Sequence, residues 1–216
     1  MPYRLIVFDF DGTLVDSLAV AVATYNRIAP ELGLRSIDDV EAARAMPTRQ
    51  LLRQLGVRFW RLPRLIRTFR AAVTEHAALL PLHSGITEVL AELQTQGFRL
   101  GILSSNSEEN IRACLRANQV EERFAFVMGY PKLFGKAKAL RRILRQESVA
   151  RSELLYVGDE LRDIEAGRRA RVPTAAVTWG FHSASMLETS PATHLLREPA
   201  ELLQIVAPAG TAAGEM

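Results

Sequence analysis

Two kinds of segment alternate along the chain. Short, nearly unbroken apolar runs at 4–9, 98–104, 124–128, 154–158 and 174–178, with a weaker one at 194–196, predict strands. Segments of helical period lie between them at 85–96, 108–118, 136–146 and 162–171, the first closed by Gly97 as a helix stop. Apolar strands separated by helices predict a parallel sheet covered on both faces, a doubly wound, Rossmann-like α/β core.

The stretch 17–84 breaks this alternation. It holds helix-like segments at 17–29, 38–44, 48–56 and 59–79, punctuated by Gly33, Pro47, Pro63 and Pro81, and no convincing strand. An all-helical cap inserted after the first strand accounts for it. The expected organisation is a core of 1–16 and 85–206, a cap of 17–84 and a frayed tail of 207–216.

Composition narrows the class. With 216 residues, 48% hydrophobic and a net charge of +3, the chain can bury a real core and is no disordered polymer. The single Cys114 excludes an internal disulfide framework and a multi-cysteine zinc site, and favours a reducing, cytoplasmic setting. No signal peptide is visible, and no apolar stretch nears the roughly 20 residues of a membrane span. The pI near 9.3 comes from dispersed arginines, with no basic arm and no aromatic RNA signature, so nucleic acid is not the expected partner. The insertion carries ten arginines against five acids, a basic lid suited to an anionic ligand or simply a solvated surface.

Five of the seven aspartates fall in two clusters at the ends of predicted strands. Asp9-Phe10-Asp11-Gly12-Thr13 follows the first, where ligands bind in open α/β sheets. Asp9 and Asp11 project to one side, and adjacent carboxylates repel unless a cation lies between them or one holds a proton. Taken alone, this motif reads equally as a structural turn. Gly158-Asp159-Glu160-Leu161-Arg162-Asp163 ends the strand at 154–158, with Asp159 and Asp163 one helical turn apart. Acids without a His or Cys companion suit a hard cation, of which Mg²⁺ is the natural choice beside a phosphate. Taken alone, Asp159 is also an ordinary helix cap. Ser104-Ser105-Asn106-Ser107 offers hydroxyls and backbone N–H groups before a helix, suited to phosphate oxygens or to capping. All three lysines, Lys132, Lys136 and Lys138, sit in one seven-residue window.

The order Asp-x-Asp-Gly-Thr, Ser-Asn, Lys, Gly-Asp-x-x-x-Asp resembles the haloacid-dehalogenase-like hydrolases, particularly their phosphoglycolate-phosphatase-like members. The resemblance runs from about residue 3 to 206 and includes the helical cap and the late stretch Val177-Thr178-Trp179-Gly180-Phe181. It implies a Mg²⁺-dependent phosphatase acting on a small phosphorylated metabolite through an aspartyl-phosphate. Asp9 is then the nucleophile and Asp11 the general acid and base, whose main-chain carbonyl also meets the metal. Ser105 and Asn106 hold phosphate, with Ser104 as the alternative to Ser105. Lys136 neutralises phosphate, with Lys138 and Lys132 as alternatives. Asp159 and Asp163 complete the metal set. Two departures stand out: Ala137 follows the lysine where many relatives have proline, and Glu160 replaces a small polar residue.

Arg49, at a helix start in the cap, is the expected substrate contact. Retained Asp11, Asp159 and Asp163 argue against a metal-free dehalogenase, and a cap without lysine argues against a Schiff-base phosphonate hydrolase. A sugar phosphomutase stays open as the alternative, and intact motifs disfavour a non-catalytic interaction module.

Overall fold

A computed structural model describes residues 3–74, 77–130 and 135–207. Lys132 and the tail beyond Ala207 lie outside the described residues. Six strands form one parallel sheet: β1 (Leu5–Phe8), β2 (Arg99–Ser104), β3 (Phe126–Gly129), β4 (Leu154–Gly158), β5 (Thr174–Val177) and β6 (His194–Leu196). Their order across the sheet is β3-β2-β1-β4-β5-β6. The chain winds from β1 outward through β2 to β3, then returns to β4 on the other side of β1. That reversal opens a crevice beyond the carboxyl ends of β1 and β4.

Period-two alternation divides these strands between two cores. Ile6 and Phe8 of β1, with Leu155 and Val157 of β4, face a cluster shared with α5 (Ile86–Thr95) and α6 (Glu108–Ala117). Leu5 and Val7, with Leu154 and Tyr156, face a cluster shared with α7 (Lys136–Gln146) and α8 (Leu161–Ala170). Both faces of β1 are therefore dry, which is why its sequence reads as a continuous apolar run.

Among the described residues, four α-helices stand between β1 and α5: α1 (Leu18–Ile28), α2 (Val40–Arg44), α3 (Thr48–Gln54) and α4 (Leu62–Thr74). α1, α3 and α4, with the segments that adjoin them, share a separate buried cluster that includes Tyr25, Ile28, Leu55, Val57 and Leu65. The helical run expected over 59–79 is shorter as found: a 3-10 turn at Phe59–Arg61 precedes α4, and another follows at Ala77–Leu79. The two segments that lead into and out of this helical stretch lie side by side, Val15 bridging antiparallel to Leu82 and Asp16 N–H donating to the Pro81 carbonyl. Two short helices, α9 (Ala184–Glu188) and α10 (Glu201–Val206), are the last among the described residues.

Candidate active site

The carboxyl ends of β1 and β4 deliver their acids to one point. Asp9, Asp159 and Asp163 each offer a carboxylate oxygen, and these oxygens lie within 4.8 Å of one another. All three side chains are buried. Lys136, the first residue of α7, inserts its ammonium among them, donating to Asp9 Oδ2 at 2.6 Å and to Asp163 Oδ1 at 2.7 Å. Lys138 is exposed on the same helix, so Lys136 is the lysine that meets the acids. The Gly135 φ of +104° swings the chain into α7 at this point, a conformation that glycine adopts without strain.

Each acid has its own support. Asp9 Oδ1 accepts from the Phe10 N–H at 2.7 Å. Asp163 accepts from the Tyr156 hydroxyl at 3.1 Å and from the Glu160 N–H at 3.3 Å. Asp159 accepts from the Thr13 hydroxyl at 2.7 Å on one oxygen and from the Phe181 N–H at 2.7 Å on the other. The Phe181 stretch is pinned in turn by the Trp179 indole, which donates to the Thr13 carbonyl at 3.0 Å. Two glycines make room: a Cβ on Gly12 or on Gly180 would stand 2.3 Å from Asp159 Oδ2. Glu160, not Asp159, occupies the cap position of α8.

The charge balance explains the titration. Burial pushes the Asp9 carboxyl up to about 7 against the pull of Lys136, and the Asp163 charge adds to the push. Burial, then the charges of Glu160, Asp9 and Asp163, drives Asp159 well above the usual carboxylate range. Asp163 ends below its ordinary value, because Lys136 and Arg162 outweigh its burial. Lys136 and Arg162 thus leave negative charge in excess, which is the condition a divalent cation relieves. Closely grouped carboxylates without nitrogen or sulfur ligands are the donor set of a hard cation, so the residues fit a metal such as Mg²⁺.

Asp11 stands apart from that group. It is half-buried on the wall of a cavity of about 300 Å³ between cap and core, and its Oδ2 accepts from the Asn106 amide at 3.1 Å. Burial raises its carboxyl above the usual value, a bias toward the proton-bearing form. Ser105 and Asn106 share the cavity wall, whereas Ser104 is fully buried with its hydroxyl accepting from the Asn106 N–H at 3.1 Å. Ser107 is the residue that caps α6, through the Asn110 N–H at 3.3 Å. The residue that caps α6 and the residues that line the cavity are thus different members of one loop.

The structure does not bring Arg49 to this site. It is exposed on α3 and absent from the cavity wall. Its neighbour Thr48 reaches the core instead, donating to Glu160 at 3.0 Å. Arg44 donates to the Gly180 carbonyl at 3.0 Å and Arg70 to the Ser105 carbonyl at 2.5 Å. Glu160 is held by Arg162 through a short ion pair. Of the residues that sequence reasoning passed over, Thr13 was inside a quoted motif without a role, and Tyr156 was the polar exception in an apolar strand. Arg162 likewise stood inside a quoted motif without a role, and Arg44 and Arg70 were two of the ten arginines of the insertion with nothing to single them out.

Known proteins resemble the chain over nearly its whole length. The chain is 37% identical over 205 residues to a phosphoglycolate phosphatase of Synechococcus elongatus, a match covering 94% of this chain and 97% of that one. It is 24% identical over 211 residues to the pyrophosphatase PpaX of Oceanobacillus iheyensis, covering 95% and 98%. A haloacid dehalogenase-like hydrolase of Streptococcus pneumoniae superposes with a TM-score of 0.79 at 21% identity, over 95% of this chain and 99% of that one, which bears on the fold. The family model for haloacid dehalogenase-like hydrolases matches residues 6–177, and the chain belongs to that family.

Proposed function

We propose that this hydrolase is a Mg²⁺-dependent phosphatase that cleaves a small organic phosphate monoester by way of an aspartyl-phosphate on Asp9. The observation that carries the reading is Lys136 lodged between Asp9 and Asp163, with Asp159 beside them. It sets a nucleophile, a fixed cation and a metal-type donor set at one strand end.

Asp9 Oδ2, the oxygen that Lys136 holds, is oriented to attack phosphorus while the bond to the leaving oxygen breaks. Asp11, with its raised carboxyl, supplies the proton to that oxygen and then takes one from the water that attacks the phosphoaspartate. The products are the alcohol, inorganic phosphate and a free Asp9 carboxylate. Lys136 offsets charge on the phosphoryl oxygens, and Ser105 and Asn106 offer donors on the cavity side. Asp9, Asp159 and Asp163, with the main-chain carbonyl of Asp11, would hold Mg²⁺. Bound there, the ion supplies charge neutralisation for both nucleophile and phosphate.

The division into a core of 1–16 and 85–206 and a cap of 17–84 belongs to the same reading, supported by the paired crossings at Val15 and Leu82. Replacing Asp9 with Asn tests the mechanism. Phosphate release from an aryl phosphate in Mg²⁺ should vanish while circular dichroism stays native. Retained turnover in Asp9→Asn overturns the nucleophile assignment.

A further inference from the structure

The cavity that Asp11, Ser105 and Asn106 enter from the core has an unlike opposite wall. Helices α1, α3 and α4 of the cap line it with Val22, Leu51, Leu52, Leu62, Ile66 and Phe69. Four polar side chains of cap helices also reach the wall: Tyr25, Arg44, Thr48 and Arg70. The Tyr25 hydroxyl is spent inside the cap, on the Arg35 carbonyl at 2.9 Å. The other three bond across to the core, on the Gly180 carbonyl, Glu160 and the Ser105 carbonyl, so they lie at the seam between the two parts. Ser17, the first residue of the cap, also lines the space, beside Asp11; past the seam the remaining cap side chains on the wall are hydrocarbon. At about 300 Å³, the space is also larger than a two-carbon leaving group needs.

From this we infer that the leaving group of the substrate is an apolar alcohol, aliphatic or aromatic, seated against the cap wall while its phosphate lies at Asp9. The inference rests on the phosphatase reading. Its physical basis is the cost of the alternative. A second carboxylate carried on the leaving group past the seam would face the hydrocarbon of Val22, Leu51, Leu62, Ile66 and Phe69 and lose its hydration. An alkyl or aryl body of the same length would instead remove apolar surface from water on both sides. The occupant is fixed as part of the substrate by continuity, since the same space touches Asp11, the proton donor to the leaving oxygen.

The test is a series of n-alkyl monophosphates from ethyl to hexyl, with phosphoglycolate as the acidic comparison, assayed for phosphate release in Mg²⁺. kcat/KM should rise by about fourfold per methylene until the cavity fills. Phosphoglycolate should fall below hexyl phosphate. A flat or falling series, or phosphoglycolate above hexyl phosphate, overturns the apolar leaving group and leaves the phosphatase standing. No phosphate from any ester removes the phosphatase reading and the inference with it. Ile66, half-buried on the wall and outside the cap's own buried cluster, gives the residue-level check. Ile66→Asn should lower the hexyl-to-ethyl ratio of kcat/KM by about fivefold or more, and Ile66→Ala, which buries no new polar group, should lower it in the same direction. An unchanged ratio in Ile66→Ala overturns the assignment of that wall.

Discussion

Lys136 Nζ stands 2.6 Å from Asp9 Oδ2, and both side chains are sealed from solvent. Removing the ammonium leaves Asp9 and Asp163 facing each other as buried like charges. Lys136→Met should therefore lower kcat on an aryl phosphate by at least about 100-fold. It should also cost roughly 3 kcal/mol of stability in metal-free urea unfolding, because an unmatched buried charge is expensive. A variant with near-normal kcat would show that Lys136 is structural only.

The excess of acid predicts that metal stabilises the fold. At 100 times its dissociation constant, Mg²⁺ should add about 2.7 kcal/mol, visible as a rise in Tm over the EDTA-treated protein. Asp159→Asn should lose most of that rise while keeping a similar Tm without metal. If Asp159→Asn retains the full shift, the ion binds elsewhere.

Thr13 and Asp159 make a second, quieter prediction. The hydroxyl at 2.7 Å orients one carboxylate oxygen of a residue in the metal-type donor set. Thr13→Val keeps the shape and deletes the donor, so it should weaken Mg²⁺ affinity by about 10- to 100-fold with kcat at saturating metal less affected. Mg²⁺ titration of activity separates the two quantities, and an unshifted midpoint would remove Thr13 from the site.

Gly180 tests how tightly the Asp159 pocket is built. A methyl there would stand 2.3 Å from Asp159 Oδ2 and 2.4 Å from the Gly12 carbonyl oxygen, both closer than contact allows. Gly180→Ala should displace Asp159, lower stability by about 1–3 kcal/mol and lose most Mg²⁺-dependent turnover. Wild-type activity in this variant would mean that the late loop can shift without moving Asp159.

The strands and the three acids of the metal-type cluster were legible because local chemistry dictates them. An apolar run such as Leu5–Phe8 has one low-energy place in this fold, and an Asp at its end marks where the sheet stops being dry. Lys136 is the expected choice among three scarce lysines, and the helix phase, which buries it and exposes Lys138, is what sets the two apart. What stayed hidden was the seam between cap and core. Thr48 meets Glu160 across 112 residues and Arg70 meets Ser105 across 35. Such pairs depend on how two separately packed parts dock, which no local period encodes. The same blindness pointed to Arg49, one residue from the contact that forms.

That seam yields the last prediction, a contrast between two cap arginines. Arg70 Nη2 donates to the Ser105 carbonyl at 2.5 Å, on the loop that carries Ser105 and Asn106 into the cavity wall, and partial burial lowers its pKa from the ordinary value. A hydrogen bond from a charged group to a loop of this kind fixes where Ser105 and Asn106 lie, at a typical worth of about 1.5–3 kcal/mol. Arg70→Ala should accordingly reduce kcat/KM by at least about tenfold. Arg49, exposed on α3, should tolerate alanine with less than about a twofold change, as surface substitutions usually do. Steady-state kinetics on one aryl phosphate decides between them. The opposite ranking would return substrate recognition to the start of α3 and mean that the cap adopts a different seat on the core during turnover.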